Sequence, residues 1–280
     1  MRVQVGAGRL FFDVDGAKLV PDGATMRERP TLLLLHGGPG FDHSAFKPIL
    51  SPLSDSAQLV YLDHRSNGRS DGTGPERWTL PHWGDDVRDF CDALQIEKPV
   101  VMGASFGGFV AMAYATRFPD HPGKLILLST AAKWRQDRVF DAFQRIGGEK
   151  AREAVRRFWE TPNAETAAEY GRVCMPLYRH NPGDPNTLAR TVMNREVSYD
   201  FLARQRTRFD FLVDLKHIKC PTLVMGGEDD PVTPIADSED IAAALPRELV
   251  RFERFAGCGH GIVWDAPERF LEVVRDFLKQ

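Results

Sequence analysis

The sequence predicts an α/β fold, a mostly parallel central sheet flanked by helices with a helical block inserted between two late strands. Short apolar runs recur at 31–35, 59–62, 100–102, 125–128, 222–225 and 249–255, and the recurring pattern is a run, a glycine-rich turn and a helical stretch. The first five lack clean alternation of apolar and polar residues, as strands covered on both faces do. Strands alternating with helices imply a mainly parallel sheet.

The elements follow in chain order. Residues 3–14 alternate around Gly6-Ala7-Gly8 and read as an antiparallel N-terminal hairpin. After the strand at 100–102, a helix is expected over 109–118, ending before Pro119. Between Ser129 and His217 the pattern changes to amphipathic helical stretches at 139–146, 151–159, 164–170 and 187–193, with loops at 161–162 and 181–185. That block is too long for an ordinary connection. It reads as a lid over the sheet's carboxyl edge, where open α/β sheets place their ligands. The expected organisation is therefore a core of 1–130 and 218–280 with a lid of 131–217. Helices over 235–245 and 267–278 complete the core.

Bulk properties exclude several classes. Apolar residues make up 42% of the chain, enough for a substantial core at 280 residues. The net charge of −3 argues against nucleic acid and gives no attraction to an anionic membrane surface. No signal-like apolar run follows Arg2, and the longest runs fall far short of the roughly 20 residues a membrane span needs. A cytoplasmic protein is the expectation. Cys91, Cys174, Cys220 and Cys258 are scattered without a CxxC pair, which suggests reduced thiols and no metal site.

The chemistry-bearing residues lie at strand ends. Gly103-Ala-Ser-Phe-Gly-Gly108 places Ser105 at a strand-to-helix turn in the pattern G-x-S-x-G-G. Such a turn is so tight that the residues two before and two after the serine need to be glycine. The helix N-terminus beside Ser105 offers free N–H groups and a partial positive charge. The competing reading is a Gly/Ser turn without chemistry, which the strand before and helix after make less apt. His36-Gly-Gly-Pro-Gly40 follows an apolar run directly. Its backbone can supply an oxyanion donor, each such donor being worth on the order of 3 kcal/mol in an acyl-transfer barrier. The N–H groups of Gly38 and Phe106 are assigned, since Pro39 has none. His36 reads as a brace for this loop rather than a base.

Two aspartates, Asp229 and Asp230, compete for the role of a carboxylate that orients a histidine; the four-residue spacing to Pro234 favours Asp230. His260 lies in the flexible segment Ala256-Gly-Cys-Gly-His-Gly261, as a base reaching back to Ser105 requires. The chain order Ser, Asp, His excludes the chymotrypsin and subtilisin arrangements. Cys258 is a weaker rival nucleophile, lacking an elbow or oxyanion loop around it.

With these motifs in place the chain resembles the α/β-hydrolase superfamily over nearly its whole length. HGGPG at 36–40, Asp63-His-Arg-Ser-Asn-Gly-Arg-Ser70, GASFGG at 103–108 and the acid and base segments resemble the proline iminopeptidase-like group. The resemblance implies a helical lid, no cofactor, and a triad on Ser105, Asp230 and His260. It also implies lid carboxylates that hold a substrate's free amine, for which Glu196 is the candidate. Where the group usually shows DQRGxGRS, this chain has His64, Ser66 and, at the variable position, Asn67, and it has Phe106 where a tryptophan is common.

The first functional reading is an esterase or lactonase acting on a small, partly apolar substrate through an acyl-enzyme. The second is an aminopeptidase releasing an N-terminal residue. A third is a non-hydrolytic ligand receptor or cofactor-free oxygenase that keeps the triad. A serine where a carboxylate nucleophile is needed disfavours dehalogenase and epoxide hydrolase chemistry. Trp134, Phe140, Phe143, Trp159, Tyr170 and Tyr178 fall at helical spacing and read as lid core rather than substrate contacts.

Overall fold

The computed structural model describes all 280 residues. The strands are β1 (Arg2–Val5), β2 (Gly8–Asp15), β3 (Leu19–Asp22), β4 (Thr25–Glu28), β5 (Thr31–Leu35), β6 (Gln58–Leu62), β7 (Val100–Ala104), β8 (Lys124–Leu128), β9 (Thr222–Gly227) and β10 (Val250–Phe255). The helices are α1 (Leu80–Ala93), α2 (Phe106–Arg117), α3 (Gln136–Glu160), α4 (Ala164–Val173), α5 (Thr187–Arg190), α6 (Arg195–Asp200), α7 (Ile235–Ala244), α8 (Ile262–Asp265) and α9 (Pro267–Lys279).

Eight strands form one sheet in the order β1-β2-β6-β5-β7-β8-β9-β10. The N-terminal hairpin pairs antiparallel as expected, and β2 pairs antiparallel with β6. From β6 to β10 every pairing is parallel. The fold is therefore the α/β-hydrolase fold, with a mostly parallel sheet.

The absence of alternation in β5 has a direct cause. Leu33 and Leu35 join an apolar cluster with Phe90 of α1 and Val110 of α2, whereas Leu32 and Leu34 join another with Phe270, Val274 and Phe277 of α9. A strand with helices on both faces needs apolar side chains at every position. Helix α9 shows the complementary pattern: Phe270, Val273, Val274 and Phe277 are buried at helical spacing, and the rest meets water. Helix α2 is buried nearly all round, which suits its run of small and apolar residues.

Between β8 and β9 the chain leaves the sheet. Helices α3 and α4, with Cys174 and Leu202, build a third apolar cluster of their own that includes Phe143, Val155, Trp159 and Tyr170. The expected helices at 139–146 and 151–159 form one element, Gln136–Glu160, broken at Gly148 by a positive φ of 72°.

Three local expectations need correction. Helix α2 begins at Phe106 rather than 109, because Ser105 itself is its N-cap, with Gly107 and Gly108 inside the first turn despite poor helix propensity. The helix expected over 187–193 stops at Arg190; beyond it the N–H groups of Val192 and Asn194 are taken by Asp42 and by the Gly40 carbonyl. The β3–β4 ribbon was not anticipated, since its residues are mostly exposed and carry no apolar pattern. No helix is long and apolar enough to cross a membrane.

The sheet's attachment to α1 gives a measurable expectation. Phe90 is fully buried and meets Phe12 edge-on at 5.3 Å between ring centres. Phe90→Ala should lower unfolding free energy by about 3–5 kcal/mol, read from the shift in denaturant midpoint.

Candidate functional site

Ser105 occupies the turn from β7 into α2 with φ 53° and ψ −119°, a conformation costly for a residue with a side chain. Its backbone is held from both sides: Ser105 N donates to Leu128 O at 2.9 Å, and Ser105 O accepts from Thr130 Oγ1 at 2.8 Å. The flanking glycines are dictated by close approach. A β-carbon at 103 would overlap the Gly107 carbonyl, and one at 107 would overlap the Leu35 and His36 carbonyls. Phe106 begins α2, so its N–H has no acceptor within the helix. Its ring is fully buried, edge-on to Trp83 at 5.0 Å and to Phe201 at 5.3 Å, which fixes the first turn of the helix.

The HGGPG loop runs beside this turn. A β-carbon at Gly37 would touch the Ser105 β-carbon at 3.5 Å, so the loop backbone and the serine are neighbours. Gly38 has φ 133°, open to glycine alone. His36 is buried, and its Nδ1 lies 2.7 Å from Gly37 O while its Nε2 accepts from the His64 N–H at 3.2 Å. One nitrogen donating and the other accepting is the pattern of a neutral imidazole. Burial pushes the pKa of His36 down and that of His64 well down. Because the Gly37 carbonyl and the Gly38 N–H belong to one planar peptide, holding the carbonyl sets where that N–H points. His36 thus braces the loop.

On the neighbouring strand ends lie the acid and base candidates. Asp230 is fully buried and its carboxylate accepts from four donors: Val232 N at 2.7 Å, Thr233 N at 2.9 Å, Thr233 Oγ1 at 2.9 Å and His260 Nδ1 at 2.7 Å. Asp229 turns the other way, to His180 at 3.2 Å and Arg145 at 3.9 Å, both in the inserted segment. With Nδ1 engaged by Asp230, the His260 ring is left its Nε2 as a base. No hydrogen bond joins His260 to the Ser105 hydroxyl. A β-carbon at Gly227 would overlap the carbonyls of Cys258 and Gly259, so the acid and base loops pack backbone to backbone.

The other sequence candidates fall elsewhere. Cys258 is buried, and burial pushes its thiol pKa up, the opposite of an activated nucleophile. Glu196 lies exposed in the first turn of α6 without an ion-pair partner. Phe140, Phe143, Trp159 and Tyr170 pack within the insertion's own cluster, and Tyr178, packed against that cluster, also meets the His260 ring edge-on at 5.2 Å. Sequence reasoning missed Tyr178 in this position, and it missed Thr233 and Asn67. The D-P-x-T spacing at 230–233 is a readable signal for the first of those two, because an aspartate commonly caps backbone N–H groups two and three residues on. Asn67, whose Oδ1 accepts from Gly40 N at 2.6 Å, carries no local signal.

A serine strained at a strand-to-helix elbow, on the parallel sheet edge where a carboxylate-bound imidazole also sits, defines a site of α/β-hydrolase type. Residues 30–267 match the family described as alpha/beta hydrolase fold, and the chain belongs to that family. It is 29% identical to a putative carbamate hydrolase RutD of Caulobacter sp. (strain K31), covering 95% of this chain and 96% of that protein. It is 28% identical to the proline iminopeptidase PfmaB of Pestalotiopsis fici, covering 96% and 99%. The crystal structure of a proline iminopeptidase from Mycobacterium smegmatis superposes with a TM-score of 0.79 at 23% identity, covering 100% of this chain and 97% of that one.

The two buried imidazoles make stability pH-dependent. Their folded pKa values lie below the ordinary 6.5, so on acidification the unfolded chain binds protons that the folded chain refuses. Stability from this source is present above pH 6.5 and is lost as pH falls below it, with a slope of up to about 1.4 kcal/mol per pH unit for each histidine. The denaturant midpoint of His64→Gln, followed from pH 7 to 5, should fall less steeply than that of the parent.

Proposed function

We propose that the protein is a serine hydrolase that cleaves a small, partly apolar carboxylic ester or lactone through an acyl-enzyme. The reading rests on one observation above others: the His260 Nδ1 contact to buried Asp230 at 2.7 Å, on the sheet edge that carries the strained Ser105 turn. In this reading His260 Nε2 takes the Ser105 proton as the hydroxyl attacks the carbonyl carbon. The resulting oxyanion is held by the N–H groups of Gly38 and Phe106. Collapse expels the alcohol, which receives its proton from His260, and water activated by the same imidazole then frees the acid. In this reading the hydrogen bond between Ser105 and His260 forms when substrate binds, since catalytic hydrogen bonds are commonly completed only in the bound complex. Residues 131–217 act as a lid that shapes the acyl pocket over the core of 1–130 and 218–280, in a cytoplasmic enzyme.

A second reading is release of an N-terminal residue by aminopeptidase chemistry, favoured by the similarity to proteins named proline iminopeptidases. That activity needs a fixed carboxylate for the substrate's amine. Glu196 is exposed to solvent, which supports the ester or lactone reading instead.

A fluorophosphonate probe should label the parent protein at neutral pH and fail to label Ser105→Ala; an unlabelled parent would sink the serine mechanism. Among short-chain esters, lactones and prolyl amides, the esters or lactones should show the higher kcat/KM. Asp230→Asn should cost about 10²–10⁴ in kcat. Asp229→Asn, whose carboxylate faces the insertion, should change it by less than about threefold.

A further inference from the structure

The HGGPG loop is held not only by the core but by a strap from the inserted segment. Asn194 N donates to Gly40 O at 2.8 Å, and Asn194 Nδ2 donates to Ser66 O at 2.9 Å. Just before it, Val192 N donates to Asp42 Oδ2 at 3.0 Å and Thr191 Oγ1 lies 3.1 Å from Ser44 Oγ. From the core side, Asn67 Oδ1 accepts from Gly40 N. Gly40 is thus gripped at both its N–H and its carbonyl by two asparagines, one from each part of the chain. The approach is so close that a β-carbon at 40, where φ is 85°, would overlap the Asn194 carbonyl.

Gly40 lies two residues after Gly38, across a proline whose ring removes one of the loop's torsional freedoms. Fixing the Gly40 peptides at one end and the Gly37 carbonyl at the other leaves the Gly38 N–H little freedom to swing. That N–H donates to no group in the chain.

We infer that Asn194 is a positioning residue: docking of the strap at 191–194 aims the Gly38 N–H, so the insertion sets transition-state stabilisation as well as covering the site. The inference rests on the serine-hydrolase reading above. It moves attention within the 194–197 segment from the exposed Glu196 to the asparagine two residues before it.

Two variants test it. Asn194→Ala removes the side-chain bond to Ser66 O, and Asn194→Asp keeps the shape while losing the donor. Active-site content is titrated with the fluorophosphonate, and kcat is expressed per titrated site so that partial misfolding does not enter. Both variants should lose between about 10- and 100-fold in kcat with KM within about twofold. The inhibition constant of an alkyl boronic acid, which mimics the tetrahedral oxyanion, should rise by the same factor. Leu188→Ala, in the same segment but half-exposed, should leave all three quantities unchanged. The inference is overturned if kcat per site and boronate affinity stay at parent values in both asparagine variants. It is equally overturned if only KM rises, which would make Asn194 a ground-state contact, or if only thermal stability falls. Failure of the serine mechanism itself has a separate signature, since the parent would then not be labelled at all.

Discussion

The arrangement depends on one close approach of backbones, where α2 passes the ends of β5 and β7. At 103 and 107 any β-carbon would run into a carbonyl group, so both positions must be glycine. Ser105 between them is forced to a positive φ, at a cost of order 1–3 kcal/mol. That strain persists because what surrounds it is over-determined. Ser105 N and O are both hydrogen-bonded across strands, and α2 behind it is buried nearly all round. Relaxing the turn would require breaking packing worth far more than the strain. The serine is thereby held out at a strand end, with a helix N-terminus beside it, by the core and not by the loops.

What the core fixes for the serine, loops must supply for everything else, and the inserted segment reaches each of these loops. It touches the HGGPG loop through Asn194 N at Gly40 O, His260 through the Tyr178 ring, and the loop after β9 through His180 and Arg145 at Asp229. These contacts differ in strength. The charged pairs at Asp229 are largely exposed and add little. The backbone contacts are stiffer: Tyr178 O accepts from Gly261 N, and a β-carbon at 259 would overlap that same carbonyl. An insertion bound by main chain at the loop of His260 and by Asn194 at Gly40 O and Ser66 O is part of the site's frame.

Legibility in the sequence followed the range of the interactions involved. Strands buried on both faces could be read because burial is written into every residue of runs such as 31–35. The glycines at 103 and 107 could be read because steric exclusion leaves no other choice of residue. The pairing of Asp230 rather than Asp229 with His260 was favoured by the spacing to Pro234, while the D-P-x-T turn, in which the aspartate caps its own loop, was a signal left unread. The path of 191–194 could not be read. Its helical periodicity is real, but two of its backbone donors find acceptors some 150 residues away in sequence, and no local pattern announces that.

The departures at 63–70 show how a motif changes while its geometry is kept. Ser66 stands where the related pattern has glycine and still adopts a positive φ of 63°. Its hydroxyl offsets that strain by accepting from Thr73 N and from Trp78 Nε1, both at 2.9 Å, and its carbonyl takes the amide of Asn194. His64 replaces the pattern's glutamine, and its backbone N–H serves the ring of His36 while its own ring packs edge-on to Phe106. What the two side chains themselves add is the pair of bonds from Thr73 and Trp78 to the Ser66 hydroxyl and the packing of the His64 ring against His36 at 4.4 Å and Phe106 at 5.5 Å. A glycine at 66 would satisfy the backbone alone, whereas the serine also ties the 73–78 segment to the loop. His64 and Ser66 are therefore both engaged in the packing around the elbow and the HGGPG loop.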